Sequence, residues 1–292
     1  MNKIAAYTTT AFIIILSMFS GCTLMERITG RGGFPEAEEH CDKLKGERKY
    51  ECYYRFAEAY FEKEEFEKAA ASYEKALKPY EGYRKIAISY LLKGNMEQGD
   101  MYCEKLRVKS AYDQQQCYIT AANMAKNRAE SAFYNEKFDN SATYYLRSGI
   151  IFHRARLYDK SIDSYLRASK LYMFQLADVR IELQQYQLKN EVLKNMEGVK
   201  ETDQLLKSYE GLTNPSNMEE GMQAFSKIEK EIDIEGIKDE ELKKYVQTIN
   251  DYKSKMNSSL ASAVQVKIEA GDDRPQKEIR NNLAFRMLCL QL

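Results

Sequence analysis

The strongest constraint on this chain is a register of large and small residues that recurs behind four positions, Tyr60, Tyr90, Ala132 and Phe152. Six residues on stand Phe66, Met96, Phe138 and Tyr158, and nine on stand Ala69, Gly99, Ser141 and Ser161. Thirteen on come Tyr73, Cys103, Tyr145 and Tyr165, and sixteen on Ala76, Leu106, Ser148 and Ala168. Three residues back the chain is always small, with Ala57, Ala87, Ala129 and Gly149; seven back it carries Tyr53, Tyr83, Ala125 and Tyr145. Such a register fits pairs of antiparallel amphipathic helices, in which small residues let two backbones approach and aromatic side chains fill the space left beside them. One hairpin cannot bury its own apolar face, so several must stack. The last two anchors, Ala132 and Phe152, stand only 20 residues apart. The helix from about Ser141 to Arg156 must therefore serve both the third hairpin and the fourth.

Composition agrees with helices. Four prolines in 292 residues, amid abundant Glu, Lys, Ala, Leu and Gln, favour an all-α fold over a turn-rich β fold. With 22 Tyr, 12 Phe and no Trp, tyrosine has to supply much of the aromatic packing, in seams between helices where its hydroxyl reaches water at the edge. Lysine and arginine number 44, as do aspartate and glutamate, so no net field draws the chain to nucleic acid or to an anionic membrane face.

The segment from Tyr53 to Tyr60 followed by Phe66 to Leu77 resembles the tetratricopeptide repeat, and Tyr80 to Leu106, with Gly94 and Asn95 at its turn, is a second copy. The resemblance runs from about Tyr50 to Leu171. It implies an array of helical hairpins (an α-solenoid) over residues 50–171, continued by a C-terminal helical region over 172–292. In the family the first helix of each hairpin lines a concave groove that holds an extended peptide or a partner helix. Mapped onto this chain, the groove residues are Tyr54, Glu58 and Phe61; Arg84, Ile88 and Leu91; Lys126, Glu130 and Phe133; then Ile150 and His153. The alternative is that several of these residues pack against the C-terminal helices and the groove is filled from within.

At the N-terminus, Lys3 precedes a nearly unbroken apolar run from Ala11 to Phe19, shorter than the roughly 20 residues a membrane-spanning helix needs. The sequence Phe19, Ser20, Gly21, Cys22 resembles the bacterial lipobox, with Phe19 where leucine is preferred. The resemblance implies a signal peptide over residues 1–21, a diacylglyceryl and acyl modification of Cys22, and a membrane held by lipid. Thr23, where aspartate would retain the protein at the inner membrane, implies the periplasmic face of the outer membrane. Residues 22–49 would then hold the lipidated cysteine, a flexible tether around Gly30 to Gly33 and a first short helix.

Export places the other cysteines in an oxidising compartment. Cys41 and Cys52 lie almost symmetrically about Gly46, and Cys103 and Cys117 about Ser110, so each pair can face across a helical hairpin and form a disulfide. The alternative is buried free thiols, while Cys289 has no such mate. Beyond Leu171, Leu176, Val179, Leu183, Tyr186 and Leu193 keep three- and four-residue steps, which extends a long helix. A turn cluster at Gly211 to Asn217 separates it from helices over 217–232, 239–269 and from Pro275 on. The apolar stretch Leu283 to Leu290 should dock as a lid.

The sequence carries no HExxH, GxSxG, phosphate loop or dinucleotide fingerprint, no CxxC, and only two histidines, His40 and His153. No catalyst, metal site or cofactor is expected beyond the lipid on Cys22. The function these features point to is a membrane-anchored, tetratricopeptide-type scaffold that holds an envelope protein or peptide segment in cell-envelope assembly, secretion or pilus biogenesis. The alternative is a small-molecule-binding lipoprotein that feeds a transporter.

Overall fold

The computed structural model describes residues 34–189, 223, 225, 237 and 239–290. The signal segment, Cys22, the glycine-rich tether, Leu193, the turn at Gly211 to Asn217 and most of the helix expected over 217–232 lie outside the described residues. Among those residues the fold is all-α: α1 (Phe34–Lys43), α2 (Glu47–Glu62), α3 (Phe66–Lys75), α4 (Pro79–Lys93), α5 (Met96–Arg107), α6 (Ala111–Tyr134), α7 (Phe138–Arg154), α8 (Tyr158–Lys189), α9 (Glu240–Glu269) and α10 (Gln276–Cys289). No described helix is long and apolar enough to cross a membrane. The chain divides into two compact units, one ending at Ile86 and the other beginning at Ala87.

The recurrent register has a direct backbone counterpart. Phe66, Met96, Phe138 and Tyr158, which share one offset in the sequence, are the first residues of α3, α5, α7 and α8. Two residues earlier, Glu64, Gly94, Glu136 and Arg156 all adopt left-handed conformations, with φ of 63°, 89°, 57° and 58°. Each turn closes with the same pair of bonds. The N–H groups of Glu65, Asn95, Lys137 and Leu157 donate to the carbonyls of Tyr60, Tyr90, Ala132 and Phe152, each at 2.9 Å. One residue before, Glu64, Gly94, Glu136 and Arg156 donate to Phe61, Leu91, Phe133 and His153. This is the Schellman closure, which satisfies the last carbonyls of a helix and reverses the chain within a few residues. Only Gly94 enters the left-handed region without a steric cost; at the other three sites the hairpin packing holds an L-residue there.

Within unit 1, α1, α2 and α3 pack in succession around Tyr53, Phe56, Tyr60, Phe66 and Tyr73, all buried. Ala57 and Ala69, the small positions of the register, are sealed from solvent where α2 meets α3. Gly82 is needed for a close approach, because a Cβ there would lie 2.2 Å from the ring of Tyr73. The sulfurs of Cys41 and Cys52 are bonded, with 5.6 Å between their Cα atoms, so the disulfide clasps α1 to α2 across the turn at Gly46.

Within unit 2, α6, α7 and α8 pack in sequence, and α7 contacts both neighbours, as the short anchor spacing requires. Asn95, Ser110 and Asp239 cap α5, α6 and α9 by accepting N–H bonds from the first helical turn. Cys103 and Cys117 are joined across the α5–α6 turn, with Cα atoms 5.9 Å apart, while Cys289 is free and exposed. α9 lies along α8, and their shared core holds Leu171, Leu176, Leu183, Leu242, Val246, Met256 and Leu260. The apolar end of the chain docks as expected: Leu283, Ala284, Met287 and Leu288 of α10 are buried. The buried ammonium of Lys170 caps that end, donating to the carbonyls of Leu288, at 2.9 Å, and Leu290. Pro275 differs from expectation by one residue. It occupies the N-cap position, with φ −53° and ψ 135°, and α10 begins at Gln276.

Candidate functional site

The residues expected to line a groove meet different fates, and each unit is considered by itself. In unit 1, Tyr54 and Glu58 stand one turn apart on α2 and face α3 and α4. The Tyr54 hydroxyl donates to Glu81 Oε1 at 2.7 Å, and the Tyr73 hydroxyl donates to Glu58 Oε1. Lys85 Nζ sits between them, 2.6 Å from Glu58 Oε1, 3.3 Å from the Tyr54 hydroxyl and 3.4 Å from Glu81. The Tyr54 and Tyr73 rings meet edge to face at 5.8 Å, and Lys78 lies 4.5 Å from the centre of the Tyr54 ring. Three helices are thus joined by one half-buried polar network.

Its electrostatics are self-consistent. Burial pushes the Glu58 carboxyl up, but Lys85 and the Tyr73 hydroxyl outweigh it and hold the group below its ordinary value. Glu81 is also lowered, chiefly by the Tyr54 hydroxyl, and the same bond raises Tyr54. Tyr73 is driven up by burial and by its bond to Glu58. These groups stay in the protonation states that bind one another at neutral pH. Glu81 and Lys85, an i,i+4 pair of opposite charge on α4, were not singled out from the sequence, although that spacing was its visible signal. The remaining unit 1 candidates, Phe61 and Arg84, are half-buried, and the Phe61 ring lies 5.7 Å from that of Phe66.

In unit 2, Leu91 corrects the sequence reading. Expected on the open face, it is fully buried, because its side chain fills the space opposite Gly99 where a Cβ would approach within 2.5 Å. Ile88 is half-buried. Lys126 and Glu130 form an i,i+4 ion pair at 3.7 Å along α6, and the Phe133 ring packs at 5.7 Å from Phe138. Ile150 is partly buried against the unit 2 core. His153 Nε2 lies 2.6 Å from Glu269 Oε2 at the end of α9, and its ring is 5.9 Å from that of Tyr158. Glu269 is held below its ordinary value by Gln265 and then by His153. At His153, therefore, a C-terminal helix covers part of the surface expected to face a partner.

Among the described residues no group of three His, Cys, Asp or Glu side chains could hold a metal ion. Compared with protein-family models, curated proteins and solved structures, the chain matches none of them.

Proposed function

We propose that the chain is a lipid-anchored envelope protein whose helical hairpins, of the tetratricopeptide kind, serve as a scaffold for an envelope protein or peptide segment. One observation carries the reading: four helix pairs close through the same left-handed turn, at the same offset from the same packing register. Helical hairpins of this sort present one helix face after another, which suits recognition of an extended partner. The half-buried residues Phe61 and Arg84 in unit 1, and Ile88, Lys126, Glu130 and Phe133 in unit 2, are the aromatic, aliphatic and charged side chains offered for contact. Attachment through Cys22 would hold the scaffold at the membrane surface, since two or more acyl chains anchor a protein stably.

Two measurements test the proposal. Cys22→Ala should move the protein from the membrane fraction to the soluble periplasmic fraction; unchanged fractionation rejects the anchor. Crosslinking in intact cells followed by purification should return one reproducible envelope protein, and Phe61→Ala with Phe133→Ala should lose it. Recovery of no common protein under any growth condition rejects the scaffold.

A further inference from the structure

The end of unit 1 formed by the α1–α2 and α3–α4 turns carries apolar side chains that stand open among the described residues. Leu77, in the α3–α4 turn, has φ 56°, a left-handed conformation that glycine adopts without strain. The N–H groups of Leu77 and Lys78 close this turn by donating to the carbonyls of Glu74 and Tyr73, each at 3.0 Å. The chain nevertheless places a leucine where glycine fits best, and leaves it 66% exposed. Pro79, Tyr80 and Tyr83 continue the same surface, and the Tyr80 and Tyr83 rings meet edge to face at 6.4 Å. Tyr80 and, near the start of α2, Tyr50 are also exposed. Both turns lie at one end of the unit, because Lys75 Nζ stands 5.2 Å from the centre of the Tyr53 ring and Lys78 Nζ 4.5 Å from that of Tyr54.

Charge sets the same end apart. The whole chain is balanced, but here Asp42 is taken up by Lys49, Glu38 by Lys75 and Glu81 by Lys85. Lys43, Lys45, Arg48 and Lys78 form no ion pair among the described residues. Against them stand Glu47 and Glu74, and Glu74 accepts from the Tyr83 hydroxyl. Apolar side chains and tyrosines at a turn, flanked by lysine and arginine on long stems, match a phospholipid surface: tyrosine rests at headgroup level, leucine passes below it and the cations reach the phosphates. The tether joins unit 1 on this side. α1 begins at Phe34, about 6 Å before Glu38 along the helix, and Glu38 accepts from Lys75 Nζ at 2.8 Å, two residues before Leu77. Residues 23–33, between Cys22 and α1, span at most about 40 Å when fully extended. A bilayer holding Cys22 by its lipid is thus within reach of both turns.

We propose that these two turns are a second contact with the phospholipid bilayer that holds the chain, Leu77 and Tyr80 entering the headgroup layer while Lys45, Arg48 and Lys78 meet anionic lipids. The proposal rests on the lipid anchor at Cys22 and adds that unit 1 lies against the membrane by a defined end. The chain has no tryptophan, so a single introduced indole reports its own surroundings. Full-length protein purified from membranes, with Leu77→Trp, Tyr80→Trp or Glu62→Trp, is reconstituted into phosphatidylethanolamine–phosphatidylglycerol vesicles with and without brominated acyl chains. Glu62 is the control, exposed at the other end of α2. Circular dichroism confirms folding, flotation of the vesicles reads the anchor, and tryptophan emission reads the turns. Leu77→Trp and Tyr80→Trp should emit at shorter wavelength than Glu62→Trp and lose most of their emission to the brominated lipid, while Glu62→Trp keeps its own. Adding Lys45→Gln, Arg48→Gln and Lys78→Gln to Leu77→Trp should reduce the quenching, as should phosphatidylcholine in place of phosphatidylglycerol. Protein that floats with the vesicles but has Leu77→Trp and Tyr80→Trp quenched no more than Glu62→Trp overturns the contact and leaves the anchor standing; the open face then belongs to a protein partner. Protein that does not float overturns the anchor, and the contact with it. Quenching that survives both changes of charge overturns the part assigned to the cations.

Discussion

The α2–α3 hairpin of unit 1 and the α6–α7–α8 helices of unit 2 obey the same register but close it with different chemistry. In unit 1 the small positions are Ala57 and Ala69, both fully buried and neither with a polar side-chain atom to offer. In unit 2 the equivalent positions pair Ala129 with Ser141 and Gly149 with Ser161. There each serine hydroxyl donates to the carbonyl of the small residue opposite, at 2.8 and 2.7 Å. Ser148 adds a third such bond to Ala122 at 3.0 Å. Unit 1 places its polar adhesion at the half-exposed network of Tyr54, Glu58, Tyr73, Glu81 and Lys85 instead. The register thus demands small volume, not a given polarity. A buried hydroxyl bonded to a spare carbonyl lone pair satisfies the demand as well as a methyl does, and it adds directional preference.

The largest expected effect tests whether the two units depend alike on covalent closure. Cys41 and Cys52 are separated by 11 positions and Cys103 and Cys117 by 14, so loop entropy makes the two disulfides nearly equivalent. Replacing either pair by serine should cost about 3 kcal/mol, read from chemical denaturation. A clearly smaller loss in unit 2 would show that the packing of α5 on α6 holds that region without the clasp.

Next comes volume. Ala69→Leu and Ala129→Leu should each destabilise by about 1–3 kcal/mol, since both sites are sealed and a larger side chain forces neighbours off their rotamers. Exposed Glu67→Leu should change stability by less than about 0.5 kcal/mol. If thermal melts show the alanine variants unchanged and the Glu67 variant collapsing, the packing face has been placed on the wrong side of α3.

Polarity should matter less. Ser141→Ala and Ser161→Ala each remove one buried hydroxyl bond and should cost about 1 kcal/mol, whereas Ala69→Ser in unit 1 should gain nothing. Equal losses from all three would erase the distinction between the units.

The smallest effect is pH-dependent. Glu58 is held below its ordinary value of 4.5, so its contribution to stability is present above that pH and is lost as pH falls through the depressed folded value. The side chain is about one-third exposed, which lets solvent screen the effect. In a series of melts from pH 6 downward, Glu58→Gln should flatten the acid limb by a small amount. An unchanged limb would show that the Tyr73 and Lys85 contacts contribute nothing to unit 1.

Features that depend on near neighbours along the chain were legible before any fold was known. Small and large residues at fixed offsets located the hairpins. Symmetric cysteines about Gly46 and Ser110 identified both disulfides, and Asp239 marked the start of α9. Gly94 and Asn95 marked one inter-helix turn, and glycine there admits the left-handed conformation the turn adopts. Glu64, Glu136 and Arg156 carry no such signature and were visible only as the same offset from their anchors, because the hairpin packing imposes their conformation. Tertiary structure alone decided which candidate faces stay open. Leu91 is buried because Gly99 leaves it room, Tyr54 and Glu58 are taken up by Tyr73, Glu81 and Lys85, and His153 meets Glu269, 116 residues away. Helical periodicity says which side of a helix is apolar. It does not say what arrives from a distant part of the chain to cover the other side, since that depends on contacts whose sequence separation far exceeds any local period.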